Sequence, residues 1–369
     1  MLKQAERSSV FVLVTHFEGT YFGALYEVKL DGRGKEGTAT HEIQPVVETV
    51  STFTGNDLGR GMWKFCILGA KLYILPDGGP DFFDKDVCSP KCKGHILDIK
   101  TGELVYASIK PPAPKWFGTH VSAYGKIYSL SDPYCSSDVP DPSFEEYDPT
   151  TRSWQMLCSY PYSDEYGTTE IQGYAVCDEI LLFSISSHTD KDGALWAYNV
   201  IKNKWFPVQV KNTDCYFRRR AVVVEQTIYA LSKLGKAVVT FSIMSNQNEE
   251  GKISYSICSF FKFDFPQGID WRSDQHLVSL GNLVFYLVQS GFDDEVDGCQ
   301  PLSITKFQIV GGSKINFTST MHYEVDIRDS GPYHIQLCFL PAYEAFSSSQ
   351  PPEPSEVVSA SFHPAKGSP

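Results

Sequence analysis

The chain has 369 residues, with 44 acidic against 32 basic side chains and a formal net charge of −12. With 42% hydrophobic and 21% charged residues, it has the balance of a globular protein, which excludes wholesale disorder. The acid excess argues against nucleic-acid binding through phosphate neutralisation, and no apolar run approaches the ~20 residues a membrane-spanning helix needs.

Aromatic residues make up 14% of the chain beside 28 Gly and 22 Pro, a mixture that favours strands and turns over helices. The first apolar run, 10–14, is too short for a secretory core, and Glu6 interrupts the basic segment that would precede one. The expectation is a soluble protein of the cytoplasm or nucleus. Among ten cysteines, Cys66, Cys177 and Cys338 sit inside apolar runs and read as buried thiols of a reducing compartment. The sequon Asn316-Phe317-Thr318 would then go unused. Residues 1–7 read as an N-terminal extension, followed by predicted strands over 10–14, 24–30 and 43–50.

Five segments then share one layout of apolar run, tight turn and second apolar run: 64–77, 119–132, 172–185, 220–232 and 275–288. Aligned on the turn, they place Tyr73, Tyr128, Leu181, Tyr229 and Val284 in one column, at intervals of 55, 53, 48 and 55 residues. A period near fifty is that of a propeller, with one four-stranded sheet per repeat. A hairpin signal follows in each unit. Asp148 and Asn199 each precede a Trp by six residues, Trp154 and Trp205, and Asp98 opens a similar turn with Leu104 in place of Trp. An Asp or Asn starts such a turn, and the Trp beyond it packs an outer strand on the neighbouring sheet.

This layout resembles the kelch repeat, and the chain is similar to the plant kelch-repeat proteins from about residue 8 to 342. A double glycine of the kelch type appears once, at Gly78-Gly79. The first 60 residues lack the helical periodicity of an F-box module. The fold expected is an all-β, six-bladed kelch-type β-propeller over 8–346. The N-terminus supplies three strands of one blade, and 333–340 supplies the fourth, innermost strand that closes the ring. The Pro- and Ser-rich tail 347–369 is expected to be disordered.

The repeat register suggests one site. Lys64, Thr119, Gln172, Arg220 and Gln275 recur at one position before each first run, with His120 and His276 one residue later. In a propeller these positions ring one mouth of the central channel, where they could hold a small anionic or polar ligand. The alternative is a water-lined channel with no ligand. Arg218-Arg219-Arg220 is the one basic triplet, and strand alternation would send Arg218 and Arg220 one way and Arg219 the other. Arg219 and Arg220 could capture a carboxylate or phosphate, or could simply balance nearby acids. His120 and His276 could serve as general acid or base, or as structural histidines.

Cys88, Cys92 and His95 supply three zinc-type ligands without a fourth, and Asp293-Asp294-Glu295 and Asp132, Asp138 and Asp141 lack calcium-loop spacing, so no metal and no cofactor are expected. No motif of a nucleotide-binding or hydrolytic site is present. The functional expectation is a monomeric module that presents one loop face to a partner protein. By resemblance, such modules select substrates for ubiquitin ligases or scaffold signalling complexes. The other reading the resemblance implies is an enzyme or product-directing protein of plant specialised metabolism, similar to the nitrile-specifier proteins, with its site at the channel mouth.

Overall fold

The computed structural model describes residues 9–18, 20–30, 46–58, 62–77, 94–113, 115, 118–132, 141–161, 169–187, 193–211, 213–248, 253–266, 274–290, 299–312, 314–326 and 333–340. These form an all-β structure with one α-helical turn, α1 (Gly55–Leu58). Gly78-Gly79, Cys88, Cys92, Asp138, the 293–295 acidic run and the tail 347–369 lie outside the described residues. No helix among the described residues is long and apolar enough to cross a membrane.

Strands β1 (Ser9–Glu18), β2 (Thr20–Lys29) and β3 (Val46–Thr54) form an antiparallel meander, and the predicted start of the third, 43–45, lies outside the described residues. The C-terminal strand β24 (Tyr333–Phe339) pairs antiparallel with β1 from Phe11↔Phe339 to His16↔Tyr333, giving the order β24-β1-β2-β3. The two ends of the chain thus share one sheet. A second sheet runs β4 (Met62–Leu68), β5 (Lys71–Asp77), β6 (His95–Asp98), β7 (Leu104–Tyr106). A third runs β8 (Thr119–Ala123), β9 (Lys126–Leu130), β10 (Phe144–Asp148), β11 (Ser153–Met156), and the last runs β20 (Asp274–Gly281), β21 (Val284–Ser290), β22 (Cys299–Val310), β23 (Lys314–Asp326).

The middle of the chain departs from the expected separate sheets. The meanders β12 (Thr169–Cys177), β13 (Ile180–Ser187), β14 (Ala194–Asn199), β15 (Lys204–Gln209) and β16 (Phe217–Val224), β17 (Thr227–Ser232), β18 (Ala237–Gln247), β19 (Ile253–Asp264) join into one closed eight-stranded sheet. Parallel pairs Gly173↔Arg219 and Tyr174↔Arg220 link β12 to β16, and Val208↔Tyr255 and Gln209↔Ser256 link β15 to β19. The cause is local. Gly173 has no Cβ, and one added there would lie 2.6 Å from the Arg219 carbonyl oxygen. The ladder of β16 with β17 breaks between Arg218 and Val222, and Arg219 sits at φ 63°, so its backbone is turned toward β12.

Tight turns close the hairpins between first and second strands. Tyr124-Gly125, Glu225-Gln226 and Asn282-Leu283 have positive φ at both central residues, as two-residue hairpin turns that follow the strand twist require. Counted from these turns, the third residues of the second strands are Tyr73, Tyr128, Leu182, Tyr229 and Tyr286, all buried. The predicted column was therefore displaced at Leu181 and Val284. The column is two residues early at Val284, one of which the extra residue between Ser279 and Gly281 on β20 accounts for.

The outer turns take the predicted form. Asp98 Oδ1 accepts the backbone N–H groups of Lys100 and Thr101 at 2.9 and 3.0 Å, Asp148 Oδ1 accepts that of Thr150 at 2.7 Å, and Asn199 Oδ1 accepts that of Lys202 at 2.8 Å. These backbone bonds hold the carboxyls of Asp98 and Asp148 below the usual range. Cys66 and Cys177 are buried, and Cys338 is half-buried.

The core lies between neighbouring sheets. Trp205 on β15 packs within 5.2 Å of the Phe144 ring on β10 of the preceding sheet, and its Nε1–H donates to the Cys158 carbonyl at 2.8 Å. Trp154 on β11 packs on Tyr147 at 5.2 Å, but it is only half-buried and its Nε1 has no hydrogen-bond partner. The two Trp-to-Ala variants should therefore differ. Trp205→Ala should cost about 3–5 kcal/mol, as for a fully buried aromatic, and Trp154→Ala about 1–2 kcal/mol. Urea denaturation midpoints of both variants measure this, and equal losses would contradict the packing.

Candidate functional site

The first strands of five meanders, together with β24 at the edge of the sixth, reach one cavity of ≈630 Å³. Lys64 and Phe65 come from β4, Thr119 and His120 from β8, Gln172 and Gly173 from β12, Arg218, Arg219 and Arg220 from β16, His276 from β20, and Gln336 and Leu337 from β24. A second cavity of ≈430 Å³ shares Arg220 with the first. It continues along β16 past Ala221, and it is lined further on by β12, β20 and β24.

Of the predicted ring, Lys64, Thr119, Gln172 and Arg220 line the first cavity, together with Arg219, His120 and His276. Gln275 does not. It is buried, and its Oε1 accepts a hydrogen bond from Arg218 Nη2. His276 takes its place on the cavity wall. The alternation expected for the arginine triplet is also overturned. The bulge in β16 brings Arg218, Arg219 and Arg220 all to the same cavity.

The charges are partly matched. Arg219 Nη2 pairs with Asp274 Oδ1 at 2.7 Å, and Lys64 Nζ stands 3.9 Å from Asp77 Oδ2. Burial alone would raise the Asp274 carboxyl, but the hydrogen bond from His334 and the charge of Arg219 hold it below the usual range. Asp274 Oδ2 also accepts from the Ile335 N–H at 3.2 Å, which fastens β20 to the closing strand. Arg218 meets a neutral partner, Gln275, and its buried Nε has no partner in the structure. Burial, followed by the neighbouring charge of Arg219, lowers the pKa of Arg218 from its usual value.

Both histidines are deeply buried, His120 at 5% exposure and His276 at 6%. Burial, then the charges of Lys64 and Lys115, pushes His120 down to about 3. Burial, then Arg219, pushes His276 down to about 3. His276 Nε2 lies 2.9 Å from the Ile335 carbonyl oxygen, so this nitrogen carries the proton and donates it. A ring that protonates only near pH 3 is a poor proton acceptor at neutral pH, so neither histidine is tuned for general base work there. His95 is packed between the rings of Trp63 and Tyr106, at 5.7 and 5.4 Å. Among the described residues, no group of three His, Cys, Asp or Glu is placed to hold a metal ion.

The sequence reading considered Arg218 only as part of the basic triplet, and it put Gln336 and Leu337 on an innermost strand without naming them as site residues. The bulge has no clear sequence signal, and β24 reaches the cavity only through long-range pairing with β1.

Four four-stranded antiparallel sheets and one closed eight-stranded sheet, with β4, β8, β12, β16, β20 and β24 around a shared cavity, give an all-β, propeller-like arrangement. No protein-family model matches the chain, and no curated protein matches it. Among solved structures, it is similar to YjhT, with 11% identity over 85% of this chain and 98% of that one and a TM-score of 0.42. It is similar to TolB from Acinetobacter baumannii, with 12% identity over 91% and 67% of the two chains and a TM-score of 0.44. It is also similar to the Dos1 propeller, with 10% identity over 82% and 66% and a TM-score of 0.38. Likenesses this distant carry no inference about ligand or activity.

Proposed function

We propose that the protein is a binding module: a six-bladed, kelch-type propeller that recognises a partner protein across one loop face, in the cytoplasm or nucleus. The blade count takes each half of the eight-stranded sheet as one blade and β24 as the innermost strand of the first. The observation that carries the reading is the state of the cavity's histidines. His120 and His276 are almost fully buried, and His276 Nε2 is committed to the Ile335 carbonyl, which suits a fixed recognition wall better than a proton-transferring base. This favours a binding role over the specifier-like enzyme.

The face at the cationic mouth offers an apolar contact. Leu234 is 59% exposed in the turn between β17 and β18, and the adjacent Gly235 packs against the Arg218 guanidinium. An exposed leucine beside arginines is the mixed surface that partner faces use. Affinity purification from native tissue with wild-type and Leu234→Asp baits, read by mass spectrometry and by reconstitution with the purified partner, tests the reading. A stoichiometric partner that binds the wild type and loses at least about tenfold in affinity for Leu234→Asp is expected. A stoichiometric partner indifferent to the substitution would move the face elsewhere. Turnover of a small molecule that is abolished by changing His120 or His276 would replace the binding module with an enzyme.

A further inference from the structure

The two cavities are lined by successive stretches of β12, β16, β20 and β24, and Arg220 borders both. Their linings differ. The first carries the three arginines and Lys64, and the second is walled mainly by apolar side chains such as Val222, Leu277 and Phe339, with Asp178 and Glu225 also on its lining. On the acidic side of the first cavity, each carboxylate already has a donor. Asp132 Oδ2 accepts the Ile171 N–H at 3.3 Å, and Glu170 Oε2 accepts the Gln172 side-chain amide at 2.6 Å. On the basic side, Arg218 is a half-buried cation beside a second cation. It bonds a neutral amide and keeps a buried, unpartnered Nε. His120 presents two buried ring nitrogens with no partner on the same cavity wall. Buried cations and unpaired donors are costly unless an anion answers them. A neighbouring apolar chamber rewards an apolar body attached to that anion.

We propose that these two cavities bind a small organic anion, one carboxylate joined to an apolar body. The carboxylate lies at the Arg218–Arg220 wall, and the apolar part runs beside Val222, Leu277 and Phe339. The planar fork of a guanidinium matches a carboxylate in a way an ammonium does not. The site is a ligand pocket within the scaffold and does not depend on which face holds a protein partner.

Calorimetric titration of the full chain tests this with four probes. These are 3-phenylpropanoate, its uncharged analogue 3-phenylpropan-1-ol, acetate as charge without body, and inorganic phosphate as a different anion. The acid is expected to bind, with the alcohol, acetate and phosphate each weaker by about tenfold or more. Arg220→Gln should weaken the acid by about ten- to a hundredfold, and Arg220→Lys should recover part of that loss. If Arg220→Gln does not fold, the comparison of acid with alcohol on the wild type decides alone. The proposal is overturned by no measurable binding of the acid, by equal affinity for acid and alcohol, by phosphate binding as tightly as the acid, or by an acid affinity unchanged in a folded Arg220→Gln variant.

Discussion

A chain truncated to residues 1–329 is expected not to fold, whereas one ending at residue 346 should melt at nearly the same temperature as the full protein. The difference is β24. Its backbone pairs with β1 along the ladder from Phe339 to Tyr333, and its side chains join two core clusters, Ile335 and Leu340 in one and Phe339 in the other. Phe339 stacks on Phe11 with ring centroids 5.3 Å apart. On its other side, the strand is tied to β20. Asp274 accepts the Ile335 N–H, and His276 donates to the Ile335 carbonyl. Each large apolar side chain removed from a core costs about 1.5–3 kcal/mol, and the exposed edge of β1 would lose its backbone partners as well. Against a total stability of about 5–15 kcal/mol, the sum is decisive. Circular dichroism and size-exclusion chromatography of both truncations provide the measurement. A monomeric, cooperatively melting 1–329 chain would show that the ring does not depend on β24.

Lys115→Met should cost about 3–5 kcal/mol, as much as the loss of the buried Trp205 ring. Lys115 Nζ lies 2.6 Å from Glu145 Oε2, with the two side chains 0% and 1% exposed, and it also donates to the Pro142 carbonyl at 2.8 Å. Burial lowers the Lys115 pKa, and the bond to Glu145 opposes that shift. Removing the ammonium alone strands a carboxylate in the interior. Replacing both partners, as Lys115→Met with Glu145→Leu, should recover most of the loss, because the pair is answered by its own members. Guanidinium melts of the two single variants and the double variant form a thermodynamic cycle. A loss of less than about 1 kcal/mol in Lys115→Met would mean that water reaches the pair.

Much of the fold was legible because it is repetitive and local. A hairpin turn needs particular residues at fixed offsets, so Asp98, Asp148 and Asn199 could be recognised as turn openers, and each does accept the backbone donors of its turn. The closing role of 333–340 was legible from arithmetic, since three N-terminal strands leave a four-stranded sheet one short. Lys64, Thr119, Gln172 and Arg220 were legible as a set because equivalent positions of a repeat lie in equivalent places around an axis.

What the register could not carry is anything that breaks it. The irregularity between Ser279 and Gly281 shifted a column by one residue, and the bulge at Arg218–Val222 turned all three arginines to one cavity against strand alternation. Gln275 and His276 exchanged places for a related reason: which of two adjacent side chains faces an axis depends on where a ladder slips, and a slip of one residue inverts the faces. The sequence by itself determined the strand-and-turn grammar and the partner of the last strand, because these follow from residue periods and turn chemistry. Only the tertiary structure decided that two sheets merge where Gly173 admits the Arg219 backbone. Only it decided that His120 and His276 are desolvated beside cations, or that an apolar chamber continues the arginine-lined one. These depend on how closely distant segments approach, and distance between segments is not written in any local pattern.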